Sequence, residues 1–299
     1  MATSIGGFKT DQQRVDYEEV YDRILERHWP VPHVELDLET SFGATRVRRS
    51  GQGEATPLVM IHPTTGSSLG WYPIIHHLCR DRIVYTPDTI GTCGRSVQAA
   101  PVTSAQDLVL WLDEIVDMLG LDRLHLLGYS EGGWIAGSHA ALSAHRDRLA
   151  SVTLVEPGGA IERIPTGFLI AMIGRAMIAM ASRDRTKALA RFSRWLNGDV
   201  DLTPAQVELL EVSMGTYRQR LPRPDRLGDD QLRHITAPTL LMMARDTKLY
   251  DPATVAQRAQ RIIPDVTIDI TPDAGHGLLF QYPDKLTARI NDFLAAHDT

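Results

Sequence analysis

The sequence predicts an α/β fold: a mostly parallel eight-stranded sheet with helices on both faces, plus a helical lid. Three observations carry this prediction. From residue 57 onward, short apolar runs alternate with stretches of helical period. Most of those runs are apolar throughout rather than every second residue, as in parallel strands covered on both faces. One long interval, between residues 157 and 238, lacks strands and breaks the rhythm.

Residues 11–28 (DQQRVDYEEVYDRILERH) place Val15, Val20, Tyr21 and Ile24 at near-helical spacing, and Pro30 stops the pattern. VELDLET (34–40) and ATRVRRS (44–50) then form a hairpin around Ser41-Phe42-Gly43. Six apolar strands follow: LVMIH (58–62), IVYTPD (83–88), LHLLGYS (124–130), VTLVEP (152–157), TLLMMAR (239–245) and VTIDIT (266–271). Helices are expected at 67–80, 104–120, 131–147, 252–263 and 279–296. The strandless interval carries helical stretches at 166–182, 184–197 and 203–220, with Thr203-Pro204 as cap and first turn of the last. Open α/β sheets bind ligands beyond the carboxyl ends of their strands, so an insertion there is expected to act as a lid. The domain reading is therefore a core of 1–157 and 233–299, with 1–33 as an N-terminal helical extension and 158–232 as the inserted cap.

Composition narrows the function. The 299 residues are 43 % hydrophobic and 23 % charged, ordinary for a globular chain. A chain of this size buries enough surface to need no metal or disulfide staple. Cys79 and Cys93 cannot make a disulfide framework and fit a reducing compartment. A net charge of −6 argues against nucleic acid, and Arg46, Arg48 and Arg49 read as one solvated strand face. The first residues lack the apolar stretch of a secretion signal. The longest apolar run, Phe168 to Ile173, is cut by Gly174 and Arg175, too soon to span a bilayer. The expected protein is cytoplasmic, with a small-molecule substrate and no membrane or nucleic-acid partner; its oligomeric state is left open.

The chemistry centres on Gly128-Tyr129-Ser130-Glu131-Gly132, between the apolar strand LHLL and the helical segment WIAGSHAALSAH. A serine on so sharp a strand-to-helix turn is held in a strained conformation with its hydroxyl above the sheet. Flanking glycines remove side chains that would strike neighbouring backbone. The helix start below offers free N–H groups to a developing oxyanion. A hydroxyl still needs a base. Among eleven histidines, His276 alone sits in a glycine-flanked loop, Asp273-Ala274-Gly275-His276-Gly277, after the last strand and so at the same sheet edge as Ser130. The base needs a carboxylate to fix its tautomer. Asp246, just after TLLMMAR, is preferred, and the order Ser130, Asp246, His276 suits this architecture. Glu156 is the rival, ending the preceding strand at the same edge; Asp251, before Pro252, reads as a helix cap. The oxyanion donors are expected to be the N–H groups of Glu131 and of Thr64, since Pro63 has none.

At these residues the chain resembles the α/β-hydrolase superfamily, in its esterase-like group with a helical cap, from about residue 34 to 296. His62-Pro63-Thr64-Thr65-Gly66-Ser67 is similar to the family's His-Gly loop, with Thr64 at the donor position and Pro63 where glycine is usual. Asp88, Gly91, Gly94 and Ser96 resemble a family loop near the active site. Ser130, Asp246 and His276 match nucleophile, acid and base, although Met243-Ala244-Arg245-Asp246 replaces the commoner glycine-led turn. Serine rather than aspartate at 130 sets the chain apart from epoxide hydrolases and haloalkane dehalogenases of the same fold.

These readings imply a serine hydrolase that cleaves an ester, lactone or thioester of a small to medium, partly hydrophobic molecule through an acyl-enzyme. Tyr129, Phe168, Met172 and Trp195 are the candidates for substrate contact. No cofactor and no metal are expected, since no ligand cluster or phosphate loop is present. The same residues would also serve C–C bond hydrolysis or acyl transfer to another acceptor, and a non-catalytic binding protein could keep the same fold.

Overall fold

The computed structural model describes residues 5–64 and 66–298. Eight strands form the main path of one sheet: β1 (His33–Thr40), β2 (Gly43–Ser50), β3 (Ala55–Ile61), β4 (Arg82–Pro87), β5 (Leu124–Tyr129), β6 (Leu149–Val155), β7 (Thr239–Ala244) and β8 (Val266–Thr271). Their spatial order is β8-β7-β6-β5-β3-β4-β2-β1, and a two-residue strand, Val97–Gln98, pairs β2 off this path. The five pairings from β8 to β4 are parallel, while β2 runs antiparallel to β4 and β1.

Every residue of β5, β6 and β7 is buried, which is why these strands read as continuous apolar runs. The pleat divides them between two cores. Val59, Ile61, Leu126, Leu154 and Leu241 face one side, against helices α2 (Ala105–Met118), α3 (Glu131–Leu142) and α7 (Pro252–Ile262). Leu58, Met60, Leu127, Val155 and Leu240 face the other, against α1 (Asp11–His28) and α8 (Pro283–Ala295). The N-terminal helix is thus part of the core packing, with Tyr17 and Tyr21 fully buried.

The insertion supplies α4 (Thr166–Ala181), α5 (Arg185–Asn197) and α6 (Pro204–Thr216), with a small apolar cluster of its own around Ala179, Leu189 and Val207. Thr203 caps α6 through a reciprocal bond with Gln206.

Four expected helices differ, one of them 131–147, which ends at Leu142 with Ser143 extended. The stretch 67–80 yields only short turns, Ser68–Trp71 and Ile75–Leu78, because Pro73 has no N–H to continue a ladder. The last helix breaks at Tyr282, before Pro283. The stretch 203–220 ends at Thr216, and Tyr217–Arg218 instead pairs antiparallel with Gly7–Phe8. Arg48 is a further correction: it is fully buried, not solvated. It donates to Glu35 across the hairpin (2.8 Å), to the Tyr21 hydroxyl (2.8 Å) and to Ser68 (3.0 Å). Among the described residues no helix is long and apolar enough to cross a membrane.

Candidate active site

Ser130 stands between β5 and α3 at φ 57°, ψ −117°. That region is sparsely populated for a residue with a side chain, and surrounding bonds hold it there. Its N–H donates to Val155 O (2.9 Å), and its carbonyl accepts from Trp134 N–H (3.1 Å) and Gly158 N–H (2.9 Å). The neighbouring glycines are steric necessities. A Cβ on Gly128 would lie 2.1 Å from Gly132 O, and one on Gly132 would lie 2.1 Å from Ile61 O.

His276 arrives from the loop after β8. Its Nε2 is 3.1 Å from Ser130 Oγ and its Nδ1 is 2.9 Å from Glu156 Oε2. A carboxylate can only accept, so Nδ1 carries the proton and Nε2 is free to accept from the serine hydroxyl. The imidazole stacks on the Tyr129 ring (centroids 5.5 Å apart, 13° between planes), and the Tyr129 hydroxyl donates to the His276 carbonyl. The loop is pressed by the insertion: Gly277 N–H donates to Asn197 O (3.0 Å), and a Cβ on Gly275 or Gly277 would strike Asn197 or Gly198 at 2.8 Å or less. Both glycines are there to admit the end of α5.

The acid is where the sequence expectation is corrected. Glu156, fully buried, faces His276, and Asp246 does not. Asp246 is exposed, with its N–H tied to Ala274 O (2.9 Å). The turn after β7 supports the acid instead of supplying it. Ala244 N–H donates to Glu156 Oε1 (2.7 Å), and the Thr247 hydroxyl donates to Oε2 (2.6 Å). Strand register makes this possible, since Tyr129 pairs with Val155 and Val155 with Met242, so the three strand ends lie side by side. Glu156 itself sits at φ 49°, which turns its carboxyl across the sheet edge. Asp251 caps α7 as expected, accepting from Ala253 and Thr254 N–H.

Ser130 and His276 open onto a cavity of about 530 Å³ beneath the insertion, walled by Phe168, Leu169, Met172, Ile173, Leu196 and Leu209 among others. Tyr129, Thr64 and Glu131 also line it. Trp195 does not: it stacks on Phe168 (centroids 5.5 Å apart, 16° between planes), with Arg175 and Lys248 over its ring. It therefore backs the wall rather than forming it. His62, whose ring burial pushes toward neutrality, staples the loop carrying Thr64. Its Nδ1 donates to Pro63 O (2.9 Å), and its Nε2 accepts from Thr89 N–H (2.9 Å). Asp88 accepts from Ser68 N–H (2.7 Å), Arg95 N–H (2.7 Å) and the Tyr21 hydroxyl (3.1 Å), which fixes the loop beside it. Burial pushes the Glu131 carboxyl up to about 7, against the bonds it makes with Thr64 and Gln219. Among the described residues no group of three or more His, Cys, Asp or Glu is arranged to hold a metal ion.

The sequence foretold neither Gln219 nor Thr247. The signal for Glu156 was present, since Glu156-Pro157-Gly158-Gly159 ends an apolar strand at the serine's own edge.

Comparison with known proteins places these residues in context. The profile of the alpha/beta hydrolase family matches residues 58–290. Carboxylesterase YbfK of Bacillus subtilis is 27 % identical over 298 residues, covering 96 % of each chain. The crystal structure of naproxen esterase (carboxylesterase NP) from the same organism superposes with a TM-score of 0.85 at 26 % identity, covering 95 % of this chain and 99 % of that one. A 2-hydroxy-6-oxo-2,4-heptadienoate hydrolase of Pseudomonas putida is 25 % identical over 257 residues, covering 82 % of this chain and 91 % of its own length.

Proposed function

The chain belongs to the alpha/beta hydrolase family, and from that premise we propose that it is a serine carboxylesterase for a small to medium, partly hydrophobic ester. The observation that carries the reading is the relay from Ser130 Oγ through His276 to buried Glu156, opening onto an apolar cavity. Ser130 attacks the acyl carbonyl while His276 Nε2 takes its proton, and Glu156 stabilises the resulting imidazolium. The tetrahedral oxyanion is received by the N–H groups of Thr64 and Glu131. His276 then returns the proton to the leaving alcohol, and water repeats the cycle on the acyl-enzyme. Lactones and thioesters are open to the same steps. Residues 158–232 serve as the lid over a core of 1–157 and 233–299, bringing the apolar wall that selects the acyl group. The two buried free thiols, Cys79 and Cys93, suit a cytoplasmic setting.

About 530 Å³ lies in the range of pockets that enclose a small-molecule ligand. A panel of p-nitrophenyl esters of rising acyl length should show turnover that increases until the cavity is filled and then declines. Failure to turn over any ester, with hydrolysis of 2-hydroxy-6-oxo-2,4-heptadienoate instead, would replace this reading with the activity in the Pseudomonas relative's name.

A further inference from the structure

The insertion touches the catalytic machinery at a second place besides Asn197. Gln219 follows Tyr217–Arg218, the short strand anchored to Gly7–Phe8, and is half-buried. Its amide nitrogen donates to both carboxyl oxygens of Glu131 (3.1 and 3.3 Å), and its amide oxygen accepts from the Thr64 hydroxyl (3.2 Å). These partners come from two different core loops, after β5 and after β3. They are also the two residues assigned above to the oxyanion. Gln219 is not part of the cavity wall, so its effect must pass through them.

An oxyanion donor contributes in proportion to how well it is fixed before the reaction. Glu131 N–H is fixed, because Glu131 is the first residue of α3. Thr64 lies in a turn outside any helix or strand, where Gly66 N–H donates to Pro63 O (3.3 Å) and His62 holds the start. The Thr64 side chain also bonds the Glu131 carboxyl directly, and Gln219 bridges the same pair, so Thr64 is tied twice to the start of α3 and the second donor is held in line with the first. The bridge needs a donor at one end and an acceptor at the other on one rigid plane, which a primary amide supplies. Glutamate would set a second carboxylate against Glu131, and methionine would bond neither partner.

We propose that Gln219 is a positioning residue for the oxyanion hole, a group of the insertion that ties Thr64 to Glu131 and so couples the seating of the insertion to the alignment of both donors. The inference rests on the acyl-transfer reading above.

The test uses the full chain and a p-nitrophenyl ester, with variants Gln219→Met, Thr64→Val and the pair together. Deleting an oxyanion donor typically costs about 10²–10³ in kcat. Loosening one should cost less, about tenfold in kcat, with KM within about twofold. Affinity for an alkylboronic acid, which forms a tetrahedral anionic adduct on the serine, should fall by a similar factor. Thr64→Val removes the direct bond to Glu131 together with the bridge, and changes to one link are not additive, so the double variant should lose no more than about twofold beyond Thr64→Val alone. Should Gln219→Met lower the melting temperature sharply, Gln219→Glu breaks the link at the same residue and Thr64→Val breaks it from its partner, each with a loss in kcat of about tenfold or more. Unchanged kcat, a rise in KM alone, or losses that multiply in the double variant would overturn the proposal. A wild-type chain that turns over no ester would instead remove the reading beneath it.

Discussion

Strand β5 carries two histidine clusters, one at each end, built from the same side-chain types. At its carboxyl end it leads to Ser130, with His276 between that serine and Glu156. At its start, His125 lies between Ser151 Oγ (2.8 Å from Nδ1) and Asp298 Oδ1 (3.1 Å from Nε2). Serine, imidazole and carboxylate alone therefore do not define a catalytic site. Ser151 sits inside strand β6, fully buried, and His125 is fully buried with it. Ser130 sits on a strained elbow at the start of a helix and opens onto a cavity. The carboxylates differ as well. Asp298 is claimed by a two-pronged contact from Arg82 (2.8 and 2.9 Å), whereas among the described residues Glu156 pairs with His276 and with no Lys or Arg. The first cluster holds the end of the chain against the sheet; the second is free to move a proton.

The largest expected effect separates the two acid candidates. Glu156→Gln should lower kcat by about 10³–10⁴, since an amide can neither fix the tautomer nor balance the imidazolium. Asp246→Asn should leave kcat within about twofold, because that side chain points to solvent. Steady-state kinetics on the two variants decide between them, and the reverse pattern would restore Asp246.

At the other end of β5 the consequences should fall on stability. Asp298→Ala removes the two-pronged carboxylate from the buried Arg82 guanidinium and leaves it only Asp81 at 3.4 Å, a loss of about 3 kcal/mol by chemical denaturation. The kcat of the folded variant should stay near wild type.

A smaller effect follows pH. Burial, resisted by Asp298, pushes the His125 ring down to about 4. Unfolded, the same ring titrates near ~6.5. Between those values the unfolded chain binds a proton that the folded chain refuses, so stability is full above about 6.5 and falls as pH drops toward 4. At ~1.4 kcal/mol per pH unit this amounts to about 3 kcal/mol at most. His125→Gln should flatten that part of the curve; an unchanged slope would assign the loss to other groups.

Much of this was legible in the sequence, for physical reasons that also mark where legibility stops. Strands buried on both faces must be apolar throughout, so β5, β6 and β7 announced themselves. The elbow was legible because a strained turn needs glycines at fixed offsets. The acid was ambiguous because Glu156 and Asp246 end adjacent strands at one edge. The choice between them depends on a positive φ and on which hydroxyl and N–H face inward, neither of which has a sequence pattern. Arg48 misled because its partners, Tyr21 and Ser68, are brought to it only by tertiary packing. Trp195 misled because helical spacing does not say which aromatic of a stack meets the cavity.

The most direct test is covalent labelling with a fluorophosphonate, followed by intact mass and peptide mapping, on the wild-type chain, Ser130→Ala and Ser151→Ala. A single adduct on Ser130, absent from Ser130→Ala and undiminished in Ser151→Ala, is the predicted result. No adduct on the folded wild-type chain, or one that persists in Ser130→Ala, would contradict the account.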